Sequence, residues 1–173
     1  MTEEREDDFV GCDTWAAMVS WLAESLPEIP VGVTIDFGPK DMLLDDVLDA
    51  DDFEDDPLEA LCAQIVVLQH GRFLVRRSRV VMEANSYISH DASAATPNRW
   101  FEDDPAGDCT AGAIYVDDAH LAAEICVTWL SSESRDEGPL DFGFDVSEAI
   151  PLPGIAQAEP AWTIDDFLRR LGH

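Results

Sequence analysis

The run from Ala63 to Ser78 limits the possible folds more than any other stretch of the chain. Ala63-Gln-Ile-Val-Val-Leu-Gln69 is a strand-forming segment, His70-Gly71 is a tight-turn pair, and Arg72-Phe-Leu-Val-Arg-Arg-Ser78 runs back. Two such segments joined by a two-residue turn predict a β-hairpin. Successive side chains of a strand point to opposite faces. Gln64, Val66 and Leu68 therefore share one face of the first arm, with Ile65 and Val67 on the other. On the return arm Phe73 and Val75 share a face with Arg77. A third strand over Arg79–Ala84 would extend the hairpin into an antiparallel meander.

Helical periodicity brackets this core. Trp15, Met18, Val19, Leu22 and Leu26 form one apolar stripe, with Asp13 or Thr14 placed to cap it and Pro27 and Pro30 to end it. Val31, Val33, Ile35 and Phe37 alternate with Gly32, Thr34 and Asp36 as a half-buried strand does. Ala113–Val116 is short and apolar. A helix capped by Asp117 follows to about Leu130, with Leu121, Ile125, Thr128 and Trp129 on one side and Ala122 and Val127 widening it. Residues 89–110 read as a long loop anchored by Trp100-Phe101. Residues 131–161, with Gly138-Pro139, Pro151, Pro153, Gly154 and Pro160, read as mostly irregular. Thr163 and Asp166 make a capping box for a last helix. Its apolar face is Ile164, Phe167, Leu168 and Leu171, and Arg169 and Arg170 suit its C-terminal dipole. The organisation expected is an acidic, disordered tail over 1–11, an α+β domain over 12–130 and a Pro-rich extension over 131–173 whose terminal helix packs on the domain. The domain is an antiparallel β-sheet flanked by α-helices. Its expected core is Trp15, Val19, Leu22, Val33, Ile35, Val66, Leu68, Val75, Ile125 and Trp129.

Charge decides which partners are excluded. The 173 residues carry 37 acids against 10 bases, a formal net charge of −27. Phosphate binding needs Lys and Arg to displace counterions, so free nucleic acid is excluded as a ligand, and anionic membrane surfaces with it. No run approaches the roughly 20 apolar residues that span a bilayer, and Met1–Asp8 is acidic where a signal peptide is basic. The expectation is a soluble, cytoplasmic protein. Arg greatly outnumbers Lys, which with abundant Ala, Gly, Val and Asp suggests a GC-rich bacterial genome.

Residues 41–56 hold nine acids, among them Asp51, Asp52, Asp55 and Asp56. They lack the D-x-D-x-D-G order and central Gly of a calcium loop, which favours a solvated acidic face. Against this acidity stand Arg72, Arg76, Arg77 and Arg79 in and just after the hairpin. They either neutralise the 41–56 run or form a partner-binding edge. Alternation puts Arg77 and Arg79 on one face and Arg76 on the other, which argues against a single phosphate clamp.

Catalytic chemistry has no motif to stand on. Cys12, Cys62, Cys109 and Cys126 contain no CxxC pair, and Cys62 and Cys126 read as buried free thiols. His120 and Glu124 stand at i, i+4 with no second histidine in a matching context, so a surface pair is expected rather than a metal site. No nucleophile elbow, P-loop or dinucleotide fingerprint occurs. No cofactor, no metal and no enzyme activity are expected.

The stretches Trp15-Ala-Ala-Met-Val-Ser-Trp-Leu-Ala, Val31-Gly-Val-Thr-Ile-Asp-Phe, Ala63-Gln-Ile-Val-Val-Leu-Gln and Arg79-Val-Val-Met-Glu-Ala-Asn-Ser-Tyr-Ile together resemble the N-terminal TY-Chap domain of actinobacteria. That group is related to type III secretion chaperones and YbjN-like proteins. The resemblance covers roughly residues 12–130, and the acidic run at 41–56 and the Pro-rich tail depart from it. It implies a chaperone-like adaptor that binds a peptide or protein, often as a dimer. On that reading Phe73 and Leu74 with Arg72, Arg76, Arg77 and Arg79 hold the partner, and Asp51, Asp52, Asp55 and Asp56 steer a basic one. The rival is an acidic decoy, a DNA mimic or an immunity protein, whose carboxylates replace phosphates at a basic surface.

Overall fold

A computed structural model describes residues 12–40, 59–82, 98–101, 111–134 and 137–147. The expected N-terminal tail, the acidic run 41–56, the Glu83–Ile88 stretch and the C-terminal helix lie outside the described residues.

Helix α1 is Trp15–Ser25. Thr14, not Asp13, caps it, its hydroxyl accepting from the Ala17 amide at 3.1 Å. A single 3-10 turn over Leu26–Glu28, with Pro27 inside it, ends the helix. The apolar stripe faces inward: Met18 and Leu22 are buried, and Trp15 and Val19 pack half-buried beside them.

Strands β1 (Thr34–Pro39), β2 (Glu59–Val67) and β3 (Phe73–Val80) follow in antiparallel order. The β2–β3 connection turns at His70-Gly71 as expected, with three residues, Gln69–Gly71, between the bonded Leu68 and Arg72. His70 has φ 61° and Gly71 φ 68°, and the Arg72 amide closes onto the Gln69 carbonyl at 3.3 Å. Two central residues with positive φ make a type I′ turn, whose twist matches that of paired strands, and Gly71 adopts it without a Cβ penalty. The β2–β3 register runs from Val67 opposite Phe73 to Glu59 opposite Val80, with an irregularity between Glu59 and Cys62. No separate strand begins at Arg79: Arg79 and Val80 finish β3, because β2 extends back to Glu59 and supplies partners that far.

Strand β4 (Trp100–Phe101) pairs with β5 (Ala113–Val116), which pairs with the free side of β3. Helix α2, Ala119–Glu133, starts one residue later than expected. Asp118 is its cap, accepting from the Leu121 amide at 2.7 Å, and the helix continues a turn past Leu130. It carries the chain back across the sheet to β6 (Phe142–Val146), which pairs antiparallel with β1. The sheet order is β4-β5-β3-β2-β1-β6, antiparallel throughout. The expectation of irregular chain over 131–161 therefore fails at 142–146. Phe142, Phe144 and Val146 alternate as a strand should, and Phe142 and Phe144 stack on Trp15 and Trp21 with ring centroids 5.7 and 5.2 Å apart. The sheet does not stop at residue 130.

Both faces of the sheet are buried. Ile35, Phe37, Ala63, Ile65, Val67, Phe73, Val75 and Val116 pack with α1 and α2 in one cluster. On the opposite face Val66, Leu68, Leu74 and Ala113 form a second cluster with Tyr115, beside the buried polar residues Thr34, Gln64, Arg76 and Ser78. Of the expected core, Leu22, Val33, Ile35, Val66, Leu68, Val75 and Trp129 are buried. Trp15, Val19 and Ile125 are half-buried, since α2 turns Ala122, Ala123, Cys126, Val127 and Leu130 inward instead. Among the described residues no helix is long and apolar enough to cross a membrane.

Candidate functional site

The register aligns Asp36 of β1, Gln64 of β2 and Arg76 of β3 in one row across the second face. Arg76 Nη1 donates to Gln64 Oε1 at 2.5 Å, and Gln64 Nε2 donates to Asp36 Oδ1 at 2.7 Å. A guanidinium only donates and a carboxylate only accepts, so a single orientation of the Gln64 amide serves both. The amide links a buried cation to a carboxylate that it does not touch directly. Beyond Asp36 in the same row stands Asp145 of β6, directly opposite it. Burial pushes the Asp36 carboxyl up to about 6; Asp145 pushes it the same way, and the Gln64 hydrogen bond and Arg76 pull it back.

Arg77 points to the other face, as alternation requires. Its guanidinium lies over the Trp100 ring at 3.9 Å and over the Trp129 ring at 4.7 Å, contacts in which a cation is attracted to the ring face. Its Nη2 also donates to the Ala111 carbonyl at 3.4 Å, and its own backbone exchanges bonds with Ala111 and Gly112. The Trp100 indole rests against Gly112, φ 88°, where an added Cβ would come within 2.6 Å of three ring atoms. Trp129 Nε1 donates to the Cys62 carbonyl at 3.0 Å. Arg79, next on this face, lies 5.3 Å over the same Trp129 ring and pairs with Glu133 at the end of α2.

These positions correct most of the expected hairpin surface. Phe73 and Leu74 are 3% and 1% exposed: they are core residues of the two faces, because the sheet is covered on both sides where a surface hairpin would leave one open. Arg76 is 0% exposed and spent on Gln64, and Arg77 is held between helix and edge strand. Arg72 is likewise engaged within the chain. Of the proposed partner-gripping group only Arg79 keeps an exposed side chain, 61%. Asp51, Asp52, Asp55 and Asp56 lie outside the described residues.

Beside Arg79 opens a shallow groove of about 470 Å³, lined by Glu59, Ala60, Leu61, Arg79, Val80 and Glu133. Sequence reading missed both this groove and the Asp36–Gln64–Arg76 row. The signal for the row was the alternation of three strands taken together, which assigns one face to all three residues once the register is known.

Reactive chemistry is sparse. Burial raises the Cys62 thiol to about 12, with Asp36 adding to it, and burial alone drives Cys126 upward, so neither supplies a thiolate. His120 and Glu124 form the expected exposed i, i+4 pair, 3.8 Å apart. Among the described residues no group of three or more His, Cys, Asp or Glu is placed to hold a metal. Comparison of the chain with family models, with curated proteins and with solved structures finds no match.

Proposed function

We propose that the chain is a non-enzymatic protein-binding module whose partner is a basic protein or peptide, acting as a chaperone-like adaptor. On this reading its body is of the secretion-chaperone, YbjN-like kind, works in the cytoplasm and forms a homodimer. The observation that carries the reading is the fate of the four hairpin arginines. Arg76 is consumed by Gln64, Arg77 by two indoles, Arg79 by Glu133 and Trp129, and Arg72 is engaged within the chain. Among the described residues Arg76 and Arg77 are spent inside the fold and the exposed Arg79 already faces Glu133, so the hairpin offers an acidic ligand no unopposed basic edge. The surplus is carboxylate, 37 acids against 10 bases, and such a surplus attracts and steers positive partners.

The decoy is kept as a second reading on the burial of Phe73 and Leu74. With those side chains inside, hairpin apolar surface does not contribute to affinity, and charge does more of the recognition. Capture of the partner from the source cell at low salt, followed by elution with NaCl, tests the shared core of both readings. A positively charged protein released by salt is expected. An acidic or neutral partner retained at high salt would overturn both. Adding the chain to that partner on DNA then separates them, since a decoy displaces the DNA and an adaptor leaves it bound.

A further inference from the structure

The groove at the end of α2 is shaped around a guanidinium. Arg79 reaches it from β3, lies over the Trp129 ring and pairs with Glu133, and 61% of its side chain remains exposed. Glu59, at the start of β2, is a second exposed carboxylate on the lining, and Ala60, Leu61 and Val80 form an apolar floor. The last turn of α2 holds no basic residue. The partial negative charge of that helix end adds to Glu133, and among the described residues Arg79, drawn from another element, offsets it. Val81, the next residue in the chain after Val80, is an exposed large apolar residue.

We propose that this groove is where the basic partner docks: an arginine or lysine of an extended basic peptide enters beside Glu59, and Arg79 is the chain's own occupant of the same seat. The proposal rests on the partner being basic, as inferred above, and adds where and by what chemistry it is held. Charge complementarity selects the occupant. Among the described residues two carboxylates and a helix C-terminus face Arg79, and the floor suits the methylene stem of a long basic side chain. Because Arg79 and the incoming cation share Glu133, they compete.

That competition gives the test a sign which nonspecific attraction does not have. The probe is an acetylated, amidated peptide of alternating leucine and arginine, titrated into the full chain and followed by amide and indole NMR shifts. Saturable shifts at Glu59, Val81, Glu133 and the Trp129 indole are expected. Glu59→Gln with Glu133→Gln should weaken binding about fivefold, the scale of partly exposed ion pairs. Asp117→Asn, at the far end of α2, should change it less than twofold. Arg79→Ala should tighten binding about threefold. Arg72→Ala, the same charge change at the opposite end of the hairpin, should not. Shifts confined to other surfaces, or Arg79→Ala and Arg72→Ala acting alike, would overturn the groove while leaving a basic partner intact. No binding of the peptide at all would overturn the groove and the basic-partner reading together.

Discussion

Arg76 donates a 2.5 Å hydrogen bond to Gln64, and neither residue has any exposed surface. A buried cation in a sheet is costly unless it is paired and hydrogen-bonded. Here Gln64 passes the Arg76 charge on to Asp36, so three strands share one polar row. Removing one member strands the others. Arg76→Met should therefore cost about 3–5 kcal/mol in urea denaturation. The triple variant Asp36→Val, Gln64→Leu, Arg76→Met should recover part of that loss, because it removes the three members of the row together instead of stranding two. An Arg76→Met variant as stable as wild type would mean that its bond to Gln64 contributes nothing.

Asp36 makes stability depend on pH, and its sign follows from the raised carboxyl, about 6 in the fold. The folded state binds this proton more tightly than the unfolded chain does. Its stabilising share is complete below about pH 4, the unfolded value, and is lost as pH rises through about 6. Asp36→Asn should thus be more stable than wild type at pH 7.5, by on the order of 3 kcal/mol, and the advantage should vanish near pH 4. Paired denaturation curves at the two pH values check this. Equal pH dependence in both proteins would remove Asp36 from the account.

Gly112→Ala should destabilise by about 1–3 kcal/mol, since its Cβ would collide with the Trp100 ring at a backbone φ of 88°. Moving that ring also unseats it from Arg77, so the near-ultraviolet circular dichroism should change as well. A variant with unaltered melting and spectrum would show that the indole is not fixed there.

Phe73→Ala and Leu74→Ala should each cost about 2–5 kcal/mol of stability, as fully buried residues do. Ile125→Ala, half-buried, should cost less than Ile35→Ala, which is buried. Thermal melts rank all four. Any loss of partner binding by the two hairpin variants should follow their loss of fold. Binding that fails in a still-folded Phe73→Ala would return these residues to the surface.

Elements built from local pattern were legible in the sequence, and pairings across long separations were not. The Trp15–Leu22 stripe, the turn at His70-Gly71 and the strand arms on either side of it are written in neighbouring residues. Strand β6 escaped because Gly138-Pro139 and the later prolines signal loop, while its warrant, pairing with β1, lies more than a hundred residues away. The hairpin arginines were read as surface since three of them and a serine in one short run look solvated. Inside the sheet Arg76 is met by Gln64 from the neighbouring strand, which in turn is held by Asp36 from the next. The groove needed the end of α2 brought against β2 and β3, which no local spacing encodes.

Recognition of a basic partner by charge is the proposal on which the function above rests. Its most direct test is the association rate with the partner recovered from the source cell, measured by stopped flow from 50 to 300 mM NaCl. Electrostatic steering predicts a rate that falls by about tenfold over that range while the dissociation rate changes little. An association rate that is flat across the range, or one that rises with salt, would contradict the account.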